Sequence, residues 1–451
     1  MTEEQIDRPN VLFLVVDSLR YDAVCGDWQT TTPNIDRLAD EGVSFTNCYS
    51  QGISTAPAMT AMLTGSLPLD YGGHWYLQDD RSPFAEVFRR YGYQTGAFHS
   101  NPYVSQRREF DRGFDRFKED AIAFEPDERL EAAPEKLLRL ANRVSRVLSR
   151  VPYTPGEPTN ETTLDMIDDA DHPWFHWTQY MDVHGPYLGG GDFRYRNKFR
   201  AEKLWLKAAV RNPDGVTDAE HAALKRDYRL EIEYLDEIIG ELLTSLERRG
   251  ERENTIVVLT ADHGDEFYEH GRYGHGNVPF DELSHVPLIM QFPDSSNVPS
   301  GTIVTDIVRS IDILPTILDS VGIEESRETP TYHTGVSLLP LIQGETHNET
   351  PLVVTEKRVR GEDALRIALR TEDWKFIHDG KADEKYLYDL NEDPEEQRNL
   401  VEQRPSIRDK FTQQLTERFN RIEATSANVI VPDSETKAGV EERLKALGYR
   451  D

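Results

Sequence analysis

Asn10 to Val16, reading NVLFLVV, and Ile256 to Leu259, reading IVVL, constrain the fold more than any other stretch of the chain. Each run is apolar at successive positions, so a strand built from it carries apolar side chains on both faces and needs cover on both. That is the pattern of a central strand in a mostly parallel sheet, layered between helices. Both runs also end abruptly in polar residues. The first gives way to Asp17-Ser18, the second to Thr260-Ala261-Asp262-His263-Gly264, whose glycine permits an unusual turn. In an open α/β sheet, ligands bind in the crevice beyond the carboxyl ends of the strands. Asp17, Asp262 and His263 are therefore candidate metal ligands, although Asp17 and Ser18 also suit a helix cap.

The polar loop after the second run is dense in chemistry. Asp265, His270, His275 and His285 follow before the apolar stretch Val286 to Met290 resumes. A further strand, predicted over Trp174–Met181, ends in Asp182-Val183-His184, another acid and histidine aimed at the crevice. Pro57 suits a first helical turn and Gly65 a helix end, which places Thr55 just before a helix N-terminus. Free N–H groups there favour an anion. Thr55 is thus either a cap or a nucleophile, since a hydroxyl beside a metal and a helix N-terminus has what covalent catalysis needs.

Elsewhere the pattern predicts a helix over Ile35–Glu41 and strands over Val43–Tyr49 and Gln94–His99. A helix over Phe84–Tyr91 and a long amphipathic one over 219–249, with Leu235, Ile239 and Leu242 on one stripe, are also expected. The latter, leading into the Ile256 run, predicts a right-handed βαβ crossover. Helices follow at Ile311–Leu318 and Val440–Leu447. Short strands at Leu365–Arg370, Trp374–His378 and Tyr386–Asp389 predict a small antiparallel sheet. The expected architecture is α/β: a large central mixed, mostly parallel sheet flanked by helices on both faces, with a smaller C-terminal antiparallel sheet. Residues 1–345 form the catalytic domain, with a variable insertion at about 119–172, and 346–451 the small-sheet unit.

Charge narrows the partners. With 51 Lys+Arg against 81 Asp+Glu the formal net charge is −30, which repels nucleic-acid phosphates. The acid is spread along the chain and arginine outnumbers lysine, a composition suited to solubility at high salt. No apolar run approaches the ~20 residues of a membrane helix. The N-terminus lacks a signal-peptide core, so a cytoplasmic location is expected. Cys25 and Cys48 imply no disulfide framework.

Several segments, taken in order, resemble the sulfatase family of the alkaline phosphatase superfamily. They are PNVLFLVVDSLRYD at 9–22, TTPNIDRLADEGVSFTNCYS at 31–50, TAPAMTAMLTG at 55–65, YMDVHGPY at 180–187, NTIVVLTADHGDEFYEHG at 254–271 and HVPLIM at 285–290. The later segments RSIDILPTILDSVGI, TGVSLLPLIQGE, WKFIHDGK and YLYDLNEDPEEQRNL fit as well. The resemblance implies that Asp17, Asp262 and His263 bind metal and that Thr55 stands at the nucleophile position, itself reaching the metal. It implies that His184 contacts the transferred group, and that His275 falls near a position held by lysine in sulfatases and by histidine in related phosphotransferases.

The departures from the family carry equal weight. Asp17-Ser18 replaces the usual paired aspartates. Formylglycine sulfatases need Cys or Ser in a C/S-x-P-x-R motif, whereas Thr55-Ala56-Pro57-Ala58-Met59 has neither that residue nor the arginine. A threonine nucleophile is similar instead to nucleotide pyrophosphatases, phosphonoacetate hydrolases and phosphoethanolamine transferases. The expected activity is metal-dependent hydrolysis of sulfate or phosphate esters, phosphoesters favoured, through a covalent Thr55 intermediate with His184 and His275 assisting. The expected cofactor is a divalent ion (Mn²⁺, Zn²⁺, Mg²⁺ or Ca²⁺), one or two in number, the second using His275 with His184 or Asp182. The substrate is a small-molecule or glycan ester. The rivals are a phospho-group transferase and a non-catalytic anion- or glycan-binding protein.

Overall fold

Every residue of the first run is buried, as a strand covered on both faces requires. In the computed structural model this run is β1 (Asn10–Val16), with β5 (Trp174–Tyr180) and β6 (Thr255–Ala261) parallel on its two sides. Residues 8–26, 28–71, 76–77, 81–120, 153–190, 193–296, 298–323, 333–346, 351–358, 365–380 and 382–425 are described. Most of the 119–172 insertion and the expected Val440–Leu447 helix lie outside them.

The remaining strands of the large sheet are β2 (Val43–Tyr49), β3 (Gln94–His99), β4 (Arg116–Glu119), β9 (His285–Gln291) and β10 (Thr302–Arg309). A two-residue pairing, β7 (Glu266–Phe267) with β8 (Tyr273–Gly274), folds the loop after β6 back on itself. The eight strands run in the order β10-β2-β9-β6-β1-β5-β3-β4. β9 is antiparallel to both neighbours and the other pairings are parallel, so the sheet is mixed and mostly parallel.

Helices fill the crossovers. The long helix Asp218–Arg249 begins at a Thr217/Glu220 capping box and ends at Gly250, in the left-handed conformation that closes helices. Its stripe Ile232, Leu235, Ile239, Leu242 and Leu246 is buried in the main core. Beside β1 and β5, the helix Phe84–Arg90 stacks Phe84 and Phe88 on Phe175. Among the described residues no helix is long and apolar enough to cross a membrane.

The small sheet comprises β11 (Val353–Arg358), β12 (Leu365–Arg370), β13 (Trp374–Asp379) and β14 (Glu384–Asp389), antiparallel throughout, with the helix Pro405–Thr425 packed on it through Phe411 and Leu415. It is stitched to the edge of the large sheet. Glu356 N–H donates to Gln51 O at 3.0 Å and the Thr355 hydroxyl to Ser50 O at 2.8 Å. Gln51 is four residues from Thr55, so the C-terminal unit braces the segment that carries the candidate nucleophile.

Candidate active site

Three segments from different crossovers meet at the carboxyl edge of β1 and β6. Asp17 and Asp262 each follow their strand by one residue, and both are fully buried. Ser18 adopts φ 63°, a left-handed conformation unusual for serine. This turn aims its N–H at Asp262 Oδ1 (3.1 Å) and its hydroxyl at Asp17 Oδ1 (2.9 Å). Ser18, standing where the resemblance implies a second aspartate, thus clips the two acids together.

Asp262, His263 and Asp17 share one small volume. His263 Nε2 lies 3.7 Å from Asp262 Oδ2 and 3.9 Å from Asp17 Oδ1. His263 Nδ1 is 2.9 Å from Gly264 O, so Nδ1 carries the proton and Nε2 offers a lone pair. Burial, then His275, pushes His263 down to about 4, leaving the imidazole neutral. Burial and the Asp17 charge push Asp262 well above the carboxylate range. Against burial, the imidazoles of His184, His263 and His275 hold Asp17 below it. Asp262 Oδ2 and His263 Nε2 are both buried without a hydrogen-bond partner. Two crowded carboxylates and an unprotonated imidazole nitrogen, with orphaned donor atoms within 4.8 Å of one another, fit a divalent cation.

Thr55 is the first residue of the helix Thr55–Thr64, one position further in than expected, with extended Ser54 as its cap. Its hydroxyl donates to Asp17 Oδ2 at 3.2 Å. Two side chains not anticipated from sequence reach the same oxygen: Asn101 Nδ2 at 2.6 Å, which also approaches Thr55 Oγ1 at 3.4 Å, and Gln179 Nε2 at 3.4 Å. Asn101 lies just beyond β3, on the same edge as Asp17, and the strand-end rule that found Asp17 also points to it. Gln179 had a different signal, a polar residue inside a strand rich in aromatic side chains. His99 holds Asn101 in place by accepting its N–H on Nδ1 at 3.2 Å.

His184 and His275 come together, with ring centroids 5.5 Å apart, and His275 is 4.9 Å from His263. His275 Nδ1 is 3.1 Å from Asp265 Oδ1, and the Tyr187 hydroxyl donates to Asp265 Oδ2 at 2.7 Å. Asp182 Oδ1 accepts the N–H of Gly156 at 3.2 Å, at the start of the helix Gly156–Asp168, and the grouping at His275 is His263, Asp265 and His275. His285 is stacked on Tyr21 and Tyr49, with Nε2 on Thr46 O at 2.9 Å. His270 stacks on Phe280. Neither belongs to this cluster.

A family model described as Sulfatase matches residues 9–323, and one described as N-sulphoglucosamine sulphohydrolase, C-terminal, matches residues 268–425. The chain belongs to the sulfatase family. Sulfatases are metal-dependent ester hydrolases, in keeping with the donor set at Asp17, Asp262 and His263. Among relatives, Arylsulfatase K of Bos taurus is 25% identical over 458 residues, covering 92% of this chain and 82% of that protein. Choline-sulfatase of Rhizobium meliloti is 25% identical over 442 residues, covering 88% and 83%. Of solved structures, the phosphonate monoester hydrolase of Silicibacter pomeroyi superposes with a TM-score of 0.72 at 22% identity, covering 93% and 97%. A structure in complex with its substrate D-glucosamine-2-N,6-O-disulfate gives 0.68 at 20% identity, covering 92% and 98%.

Proposed function

We propose that this sulfatase-family chain hydrolyses phosphate mono- or diesters in preference to sulfate esters, by double displacement through Thr55. The observation that carries the reading is a threonine hydroxyl, at the first residue of a helix, hydrogen-bonded to the buried Asp17. Asp17, Asp262, His263 and the Thr55 oxygen would hold a divalent ion, with Mn²⁺ or Zn²⁺ favoured by the imidazole in the set. When bound, such an ion supplies Lewis-acid polarisation of the ester and a lowered hydroxyl pKa.

The protein's own groups do the rest. Asn101 and Gln179, both on Asp17 Oδ2, fix the carboxylate against which Thr55 is oriented. In the first displacement Thr55 Oγ, its proton given up to solvent, forms a bond to phosphorus while the ester bond breaks and the alcohol oxygen leaves with the electron pair. With Nδ1 held by Asp265, His275 presents Nε2 as the acid that protonates that oxygen. His184 faces the non-bridging oxygens. A water then gives a proton to the now neutral His275 Nε2 and attacks phosphorus, while the bond from phosphorus to Thr55 Oγ breaks with its electron pair returning to Oγ, releasing the phosphate product.

Sulfate favours a different nucleophile. A formylglycine hydrate expels sulfate through its second hydroxyl, and threonine carries a methyl group there instead. A phosphothreonine, in contrast, is opened by water at phosphorus. The choice is tested by kcat/KM for the p-nitrophenyl phosphate, phosphodiester and sulfate. The phosphoesters are expected to turn over faster, with a loss on the order of a thousandfold or more in Thr55→Ala. A sulfate preference abolished by Thr55→Ala would overturn the substrate assignment.

A further inference from the structure

Where the loop after β6 meets the small sheet, acidic side chains crowd around His270. Glu266 lies on β7, His270 between β7 and β8, Glu282 on the short helix Asp281–Ser284, and Glu396 in the segment after β14. The His270 ring is stacked flat on Phe280, with centroids 3.5 Å apart, and its Nε2 is 3.4 Å from Glu282 Oε1. Donor atoms of His270, Glu282 and Glu396 all lie within 4.8 Å of one another.

The local cations leave this group underserved. Lys375 Nζ is shared between Asp281 Oδ1 (2.6 Å) and Glu396 Oε1 (2.9 Å), and Arg370 Nε is 3.3 Å from Asp281 Oδ2. His270 Nε2, Glu282 Oε2 and both carboxylate oxygens of Glu266 are buried without a hydrogen bond. Glu266 is 1% exposed, and a side chain at Gly276 would collide with it, so glycine there leaves the carboxylate its space. Burial, then the Glu282 charge, pushes Glu266 up to about 8, with the charge of Arg272 opposing. Burial also lifts Glu396 to about 8 against the pull of Lys375. An orphaned buried carboxylate costs several kcal/mol unless a proton or a cation answers it.

We propose that His270, Glu282 and Glu396 bind a divalent transition ion, Mn²⁺ or Zn²⁺, distinct from the one at Asp17, tying the histidine-bearing loop to the C-terminal sheet. One imidazole with two carboxylates suits these ions better than Ca²⁺ or Mg²⁺, which prefer oxygen alone. Glu266 adds a further carboxylate beside Glu282, deepening the negative potential. Because its ligands come from both parts of the chain, the ion acts as a staple.

The test counts metal on the full chain, chelator-treated and then loaded with Mn²⁺ or Zn²⁺ at mildly alkaline pH. Wild type is expected to hold two ions per chain. Each of His270→Gln, Glu282→Gln and Asp262→Asn should hold one, and the Asp262→Asn/His270→Gln double variant none. The melting temperature of Asp262→Asn should still rise on metal addition, and that rise should vanish in the double variant. Circular dichroism checks that each variant is folded. Wild-type stoichiometry and metal-induced stabilisation in both His270→Gln and Glu282→Gln would overturn the proposal, as would a single wild-type ion lost in Asp262→Asn. A count that falls in His270→Gln but not in Asp262→Asn would support this site and refute the metal centre of the proposed reaction instead.

Discussion

At the scale of single residues, the site is a hierarchy of restraints that converge on Asp17. Its Oδ1 accepts from Ser18, while its Oδ2 accepts from Thr55, Asn101 and Gln179. Charge-assisted bonds of this kind each hold geometry more firmly than neutral ones. His275 is restrained differently, through Asp265 and in turn Tyr187. That arrangement predicts a leaving-group signature. His275→Ala should lower kcat/KM by roughly 10²–10⁴ for an alkyl or phenyl phosphodiester, whose alkoxide needs a proton. The loss should be much smaller for a p-nitrophenyl ester, whose leaving group departs unprotonated. An equal loss for both would remove His275 from the role of acid. The residues legible in sequence were those at strand ends, Asp17, Asp262 and His184. Asp265 was visible as a carboxylate, but its pairing with Tyr187 joins positions far apart in the chain and has no local signature.

At the scale of elements, apolar periodicity located the interior strands and missed both margins of the large sheet and one of the small sheet. Gln94–His99 was predicted and found, while β4, β10 and β11 were not anticipated. β4 and β10 are the outermost strands of the large sheet, and Ile303 on β10 is 66% exposed, so neither shows the doubly buried pattern. The direction of β9 was equally hidden, since an apolar run reads the same in either orientation. β11 contains Glu356, fully buried because Arg418, on a distant helix, pairs with it and with Asp70 (2.8 Å). Arg418→Met would strand Glu356 in the interior. A loss of about 3–5 kcal/mol in urea unfolding is expected above neutral pH. Burial already raises the Glu356 carboxyl, and without arginine its folded pKa would stand further above the unfolded value. Stability is then regained as pH falls and the group protonates, so the deficit should shrink under acid conditions. A deficit independent of pH would show that Arg418 acts through packing alone.

Across the whole molecule, the net charge is expected to govern how stability responds to salt. A formal charge of −30 makes the folded chain self-repelling. Exposed carboxylates such as those of Glu41, Asp168 and Asp169 are each close to an arginine, but acids exceed bases overall. Screening shortens the range of the remaining repulsion to about 10 Å at 0.1 M salt and about 3 Å at 1 M. The melting temperature should therefore climb between these concentrations of KCl, and a flat profile would contradict the reading of the composition as suited to high salt. The buried centre should respond less, because Asp17, Asp262 and His263 are shielded from bulk ions.

The proposed reaction turns on the oxygen of Thr55, where sheet edge, helix N-terminus and acid cluster coincide. The measurement that tests this most directly is an acid quench of the metal-loaded wild-type enzyme during steady turnover of a phosphodiester, followed by peptide mass spectrometry. The account predicts a phosphoryl group on Thr55 in the peptide spanning the helix Thr55–Thr64, absent before substrate is added. Turnover with no modification at Thr55, together with undiminished kcat/KM in Thr55→Ala, would contradict it.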